Sequence, residues 1–186
     1  MPELPDVDVY VEALERRIAG RRLEQIRLAS PFVLRTAVPP IAEAQGRRVA
    51  AVRGLGKRIV IELEGELFLV LHLMIAGRLR WILPGAKPPA RITLATFAFD
   101  TGVLVFTEAG TRKRASLHFV DGRTALAAFD RGGVELHDID AATFATRLRQ
   151  ENHTLKRALT DPRRFSGIGN TYSDEILHRA RLRRWR

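Results

Sequence analysis

The sequence predicts an α+β protein: an N-terminal helix, then an antiparallel β-sandwich, then a helical region. Three patterns lead to this. Apolar residues recur at helical spacing over residues 5–19. Between 23 and 120 the chain breaks into short β-type runs separated by turn signals, as in sandwiches. After Asp121-Gly122-Arg123 the helical period returns. Two units follow from the same change of pattern, 1–122 with the leading helix and sandwich, and 123–186 with the trailing helices.

In the first helix Val7, Val11, Leu14 and Ile18 share one face, Pro5 lies near the start and Gly20 ends it. The predicted strands are 23–28, 48–52, 58–63, 67–73, 78–82, 92–99, 103–107 and 115–120. Glu64-Gly65-Glu66, Pro84-Gly85 and Asp100-Thr101-Gly102 are among the turns between them. Predicted helices follow at 124–129, 141–150, 154–159 and 170 to about 181, with a break at Arg131-Gly132-Gly133.

Composition narrows the function classes. The 186 residues carry 31 Lys+Arg against 21 Asp+Glu, a formal net charge of +10, so a polyanion such as nucleic acid is the expected partner. No apolar run reaches the ~18–20 residues that cross a bilayer, and the N-terminus lacks the basic and apolar regions of a secretory signal. A soluble, cytoplasmic monomer is the expectation. The absence of cysteine excludes disulfides and cysteine-ligated metals within this sequence. Only four cations are lysines, Lys57, Lys87, Lys113 and Lys156. The cations are densest in Thr111-Arg112-Lys113-Arg114 and from Arg179 to Arg186.

Four short motifs bear on chemistry. Met1-Pro2 exposes Pro2 as a secondary amine if the initiator is removed. Such an amine is a nucleophile with an ordinary titration near pH ~7.7–8.0, although a proline at position 2 is also simply common. Glu3, Asp6 and Asp8 supply carboxylates suited to protonating a sugar oxygen or to stabilising the first helical turn. Gly54-Leu55-Gly56-Lys57-Arg58 sets a lysine between glycines at a strand start, either a ligand approach or a plain hairpin turn. In Leu71-His72-Leu73-Met74-Ile75-Ala76-Gly77-Arg78, Met74 follows a strand end as an apolar wedge between bases would, or fills the core; His72 is a phosphate-contact candidate. Ser166-Gly167-Ile168-Gly169-Asn170, preceded by Lys156, offers backbone N–H groups and a helix start capped by Asn170 to phosphate.

Taken together and in order, Met1-Pro2-Glu3-Leu4-Pro5-Asp6-Val7, the Gly56-Lys57 turn, His72-Leu73-Met74 with Gly77-Arg78-Leu79, and Ser166-Gly167-Ile168-Gly169-Asn170 with Asp174-Glu175 resemble the formamidopyrimidine-DNA glycosylase/endonuclease VIII family over residues 1 to about 182. The resemblance implies a base-excision repair glycosylase that removes oxidised or ring-opened bases. It would then cleave the abasic site by β,δ-elimination through a Schiff base. Its partner would be double-stranded DNA containing a damaged base or abasic site. Pro2 would be the nucleophile at C1′, Glu3 the general acid at the deoxyribose ring oxygen, and Lys57 a phosphate contact assisting at the sugar. Asp6 would be a supporting carboxylate, Met74 the void-filling residue, and Arg112 a DNA contact. Lys156 and Asn170 would be phosphate contacts of a helix–two-turn–helix element. Extrusion of the nucleotide from the stack is required for such chemistry.

Three departures qualify the resemblance. Asp6 and Asp8 stand where the family commonly has Glu. The loop after the seventh strand reads Glu108-Ala109-Gly110-Thr111-Arg112-Lys113-Arg114 in place of an Asp-Pro-Arg-Arg-Phe wedge; the string Asp161-Pro162-Arg163-Arg164-Phe165 lies elsewhere and is read as coincidence. The family often carries a structural zinc in a C-terminal finger, for which this sequence has no cysteine, so no cofactor is expected here. That departure raises the alternative of a damaged-DNA-binding protein with weak or no turnover.

Overall fold

The computed structural model describes residues 1–182. Helix α1 (Leu4–Ile18) begins where Asp6 Oδ2 accepts the Glu3 backbone N–H at 2.9 Å, and it buries Leu4, Val7, Leu14 and Ile18. Eight strands follow: β1 (Gln25–Leu28), β2 (Val49–Leu55), β3 (Arg58–Leu63), β4 (Leu67–His72), β5 (Gly77–Ile82), β6 (Thr93–Phe99), β7 (Gly102–Glu108) and β8 (Ser116–Asp121). They form two four-stranded antiparallel sheets, β1-β6-β7-β5 and β2-β3-β4-β8. The apolar faces of both sheets and of α1 meet in one core that includes Ile18, Leu69, Phe97, Phe106 and Phe119.

The edges of the β2-β3-β4-β8 sheet are covered. On β2, Glu15 of α1 accepts the Val52 N–H at 2.7 Å. On β8, Leu117 O accepts from Arg35 N and Thr36 Oγ1 from Phe119 N, at 2.9 and 2.8 Å. Strand β4 is apolar on both faces because its outer residues Phe68 and Val70 pack with Val60, Val120, Leu126 and Phe129. Leu126 belongs to α2 (Arg123–Ala127), which therefore packs on the sandwich.

The remaining helices are α3 (Ala141–Leu148), α4 (Leu155–Thr160) and α5 (Asn170–Arg179). They enclose a separate cluster of Leu159, Phe165, Ile168 and Leu177, in which the rings of Phe144 and Phe165 lie 4.8 Å apart. The Asp161–Phe165 stretch is part of this packing, with Phe165 fully buried and the Arg164 guanidinium 2.7 Å from Glu151. Phe165 is thus packed in the interior of this region and not presented at a surface. Among the ties that join the helical region to the N-terminus, Leu4 N donates to Gly167 O at 3.0 Å, and Asp8 Oδ2 lies 3.1 Å from His137 Nε2.

The observed strands match the predicted runs closely. The largest change is that β2 continues to Leu55, through Gly54. Gly54 serves as a strand residue because α1 passes over it: a Cβ there would lie 3.4 Å from Val7 Cγ1. Arginines 183, 184 and 186 lie outside the described residues.

Candidate active site and nucleic-acid interface

The candidate site forms where α1, the β2–β3 turn and the start of α5 converge. Pro2 and Glu3 are both buried, Glu3 with 3% of its surface exposed. The Glu3 side chain turns toward α5, where Oε2 accepts N–H bonds from Gly169 (2.8 Å) and Tyr172 (3.0 Å) and Oε1 accepts one from Thr171 (3.0 Å). This carboxylate thus caps the positive end of α5 from the opposite end of the sequence.

The arrangement corrects the sequence reading in two respects. The cap residue of α5 is Gly169, and Asn170 is its first helical residue, exposed to solvent. The backbone donors of Gly169, Thr171 and Tyr172, expected to face phosphate, serve Glu3 instead. Gly169 is required by close approach, since a Cβ there would stand 2.3 Å from Glu3 Oε1 and 2.5 Å from Lys57 Nζ. Gly167 is required by conformation and space, with φ of +81° and room so limited that a Cβ there would stand 2.7 Å from Leu4 Cβ.

Lys57 reaches this point from a two-residue turn, because Leu55 pairs directly with Arg58 across β2 and β3. Gly56 supplies the positive φ of the turn, +58°. Both sequence readings of this motif therefore hold at once: it is a hairpin turn, and it delivers a lysine to Glu3. Burial lowers the Lys57 pKa, while the nearby Glu3 carboxylate acts in the opposite direction.

Two clefts flank the N-terminus. One, of about 310 Å³, is lined by Met1, Lys57, Arg58, His72, Arg131 and Gly167 among others. The other, of about 240 Å³, is lined by Met1, Pro2, Asp6, Tyr10 and Arg78. Met1 lines both and is 47% exposed, and Pro2 lines the second.

Arg58, His72 and Phe129 of the first cleft form a basic cluster with His118 that the sequence did not bring together. The Arg58 guanidinium sits 5.6 Å from the Phe129 ring centre and donates to Phe129 O at 3.2 Å. His118 meets the same ring edge-on at 4.9 Å. Burial, and then the charges of Arg58, Lys57 and His118, push the His72 pKa down to about 4. His72 therefore meets a ligand as a neutral imidazole. Since the unfolded imidazole titrates near 6.5, the stability due to neutral His72 is complete above that pH and falls as pH drops toward about 4. A His72→Gln variant should lose less melting temperature than wild type between those limits, as thermal unfolding at a series of pH values would show.

The other sequence candidates take varied places. Asp6 spends Oδ2 on the Glu3 backbone N–H yet lines the Pro2 cleft. Met74 is half-buried at the β4–β5 turn with φ of +53°. Lys156 is engaged with Asp174 at 2.6 Å, joining α4 to α5. Arg112 is exposed on a loop organised by Glu108, a residue the sequence reading left without a role. Glu108 is 2% exposed, and its carboxylate accepts the backbone N–H groups of Arg114 (2.9 Å) and Ala115 (3.2 Å). Lys113 Nζ bonds the Glu108 carbonyl.

With no cysteine in the sequence, these residues do not fit a cysteine-ligated zinc. Among the described residues no group of three or more His, Asp or Glu side chains could hold a metal, and no helix is long and apolar enough to cross a membrane.

Comparison with known proteins agrees with this fold. Residues 1–128 match the family model for the formamidopyrimidine-DNA glycosylase N-terminal domain. The formamidopyrimidine-DNA glycosylase of Heliobacterium modesticaldum is 33% identical over 192 residues, covering 98% of this chain and 68% of the relative. That of Acidothermus cellulolyticus is 32% identical, with 98% and 66% covered. The chain thus spans about two thirds of the length of these relatives. Lactococcus lactis Fpg in complex with abasic-site DNA superposes with a TM-score of 0.83 at 26% identity, covering 94% of this chain and 65% of that one. MutM in complex with carbocyclic 8-oxo-G DNA gives 0.82 at 25% identity, covering 95% and 67%. With the motifs, the convergent site and these matches in agreement, the chain belongs to the formamidopyrimidine-DNA glycosylase family.

Proposed function

We propose that this protein is a DNA glycosylase for oxidised or ring-opened bases that also cleaves the resulting abasic site. The observation that carries the reading is the convergence of the Glu3 carboxylate and the Lys57 ammonium on one face of Gly169, with Pro2, next to Glu3 in the chain, lining an adjacent cleft. The relatives' names and the DNA bound in the solved structures supply the substrate class.

Removal of Met1 frees the Pro2 nitrogen. It attacks C1′ of the extruded nucleotide as the bond to the base breaks, and the base departs with the proton that the Pro2 nitrogen gives up. Opening of the C1′–O4′ bond, with a proton delivered to O4′, leaves an iminium between Pro2 and the sugar. Glu3, after taking up a proton from solvent, is placed to deliver it. A carboxylate has about four acceptor sites; α5 occupies three, and the remaining one is on Oε1, the atom nearest the Gly169 face. The iminium then acts as an electron sink. Loss of a C2′ proton expels the 3′ phosphate, and a second elimination expels the 5′ phosphate. Lys57, with a proton affinity lowered by burial, sits where it can hold a phosphate and exchange protons at the sugar. His72, Arg112 and Asn170 are assigned to backbone contacts, and Lys156 joins them only by exchanging Asp174 for phosphate.

Incubation with a duplex containing an oxidised base tests the assignment, with the protein's intact mass recorded in parallel. Base release and a one-nucleotide gap with phosphate at both ends are expected from protein lacking Met1. Saturable binding to the damaged duplex without base release would assign the chain instead to the damaged-DNA-binding alternative.

A further inference from the structure

Helix α1 carries a second apolar stripe besides the one it buries. Val7, Leu14 and Ile18 enter the core, whereas Val9 lies on another side of the helix with 66% of its surface exposed. Val9, Ala13 and Arg17 follow at four-residue spacing and so share one face. Together with Arg80 and Trp81 of β5 and the buried Leu104 of β7, they line a slot of about 230 Å³. We propose that this slot docks an extended acidic segment of a partner protein. One aromatic side chain of that segment would fill the slot, and its carboxylates would meet Arg17 and Arg80.

The wall that receives the aromatic ring is fixed in advance. Trp81 stacks on Phe99, with ring centres 6.0 Å apart, and backs onto Gly102, where a Cβ would lie 2.7 Å from the indole. A rigid aromatic wall binds a side chain without the cost of first being ordered. Strand β5 also ends its sheet, so its outer edge keeps backbone N–H and C=O groups that no neighbouring strand takes. An extended segment can pair with such an edge while one of its side chains enters the slot.

Charge selects the occupant. The slot is lined by two arginines and by no carboxylate. Elsewhere on the sandwich surface arginines are answered from within the chain: Arg21 by Asp100 at 2.8 Å, Arg123 by Glu66 at 2.9 Å and Arg48 by Glu64 at 3.6 Å. Among the described residues no such ion pair involves Arg17 or Arg80. Both cations are exposed at the mouth of an apolar slot, which calls for acid and hydrophobe on one ligand. A DNA backbone offers the charge but presents phosphates outward and no side chain to fill the slot. An acidic peptide with an aromatic residue offers both.

The test is the fluorescence anisotropy of a labelled synthetic peptide, aspartates around a single phenylalanine, titrated with the full chain at physiological salt. Saturable binding is expected. Alanine in place of the peptide's phenylalanine should weaken it about tenfold or more. Val9→Asp, Arg17→Glu and Arg80→Glu should each weaken it by at least about tenfold. Arg27 on β1 supplies the control, because it lies three strand spacings from β5, roughly 14 Å. That exceeds the screening length of about 8 Å, so Arg27→Glu should bind within about twofold of wild type. All four side chains are exposed, and melting temperatures should stay near that of wild type. Absence of saturable binding overturns the proposal. Binding that survives Val9→Asp, or falls as much with Arg27→Glu as with Arg80→Glu, reduces it to diffuse attraction and overturns it too. Displacement of the peptide by an abasic-analogue duplex, with duplex binding weakened by Arg80→Glu, would assign the slot to DNA instead.

Discussion

Gly169→Ala is expected to give a folded protein that has lost base release. The backbone of Gly169, φ −129° and ψ −158°, is ordinary extended geometry, so alanine is not strained there. The cost falls on the two side chains its methyl group would meet, at 2.3 Å from Glu3 Oε1 and 2.5 Å from Lys57 Nζ. Lys57 can swing its flexible end away. Glu3 cannot move without surrendering N–H bonds from Gly169, Thr171 or Tyr172. Displacement of reacting groups by about 1 Å lowers rates on the order of a hundredfold, and single-turnover base release should fall by at least that much. Gly167→Ala provides the contrast. There φ is +81° and Leu4 blocks the new methyl group, so thermal unfolding should show a loss of about 1–2 kcal/mol or more. Wild-type rates from Gly169→Ala would show that Glu3 and Lys57 need not share that face.

Glu3→Gln is expected to damage both stability and chemistry. The amide keeps one acceptor oxygen but turns an NH2 group toward backbone N–H donors that had faced a carboxylate. Hydrogen bonds to a charged partner contribute roughly 1.5–3 kcal/mol, and a buried donor left unpaired costs about 1–3 kcal/mol. A loss near 3 kcal/mol is therefore expected, which for a protein of this size is a fall of roughly 6–12 °C in Tm. Strand cleavage at a preformed abasic site, measured well below the variant's Tm, should fall further than any unfolded fraction explains. A variant with wild-type Tm would mean that the contacts of Glu3 to α5 contribute little to stability.

The sequence and the structure agree most where the pattern is local. The strand runs were legible because a sandwich strand repeats every two residues and its turns contain glycine, and α1 because its apolar residues recur at helical spacing. Pro2, Glu3 and Lys57 were named from motifs, but their geometry was not readable. Glu3 and Gly169 are 166 positions apart, and no periodicity reports that a carboxylate at one end of the chain caps a helix near the other. The same distance misled the assignment of Asn170 as a cap, since a side chain of that type beside a helix start is the ordinary local signal. The partner of Lys156, Asp174, lies one helix away and leaves no local mark. Glu108 and His118 look like ordinary strand residues until the fold sets one beneath the basic loop and the other beside Arg58 and Phe129.

The central claim is that the Pro2 nitrogen forms a covalent intermediate with the sugar, and reductive trapping measures it most directly. Protein lacking Met1 is mixed with duplex DNA containing an abasic site, and borohydride is added. A stable protein–DNA adduct is expected, with the attachment mapped to Pro2 by peptide mass and the adduct abolished when Met1 is retained. Binding of the same DNA without any adduct, or an adduct mapped to Lys57 instead of Pro2, would contradict the account.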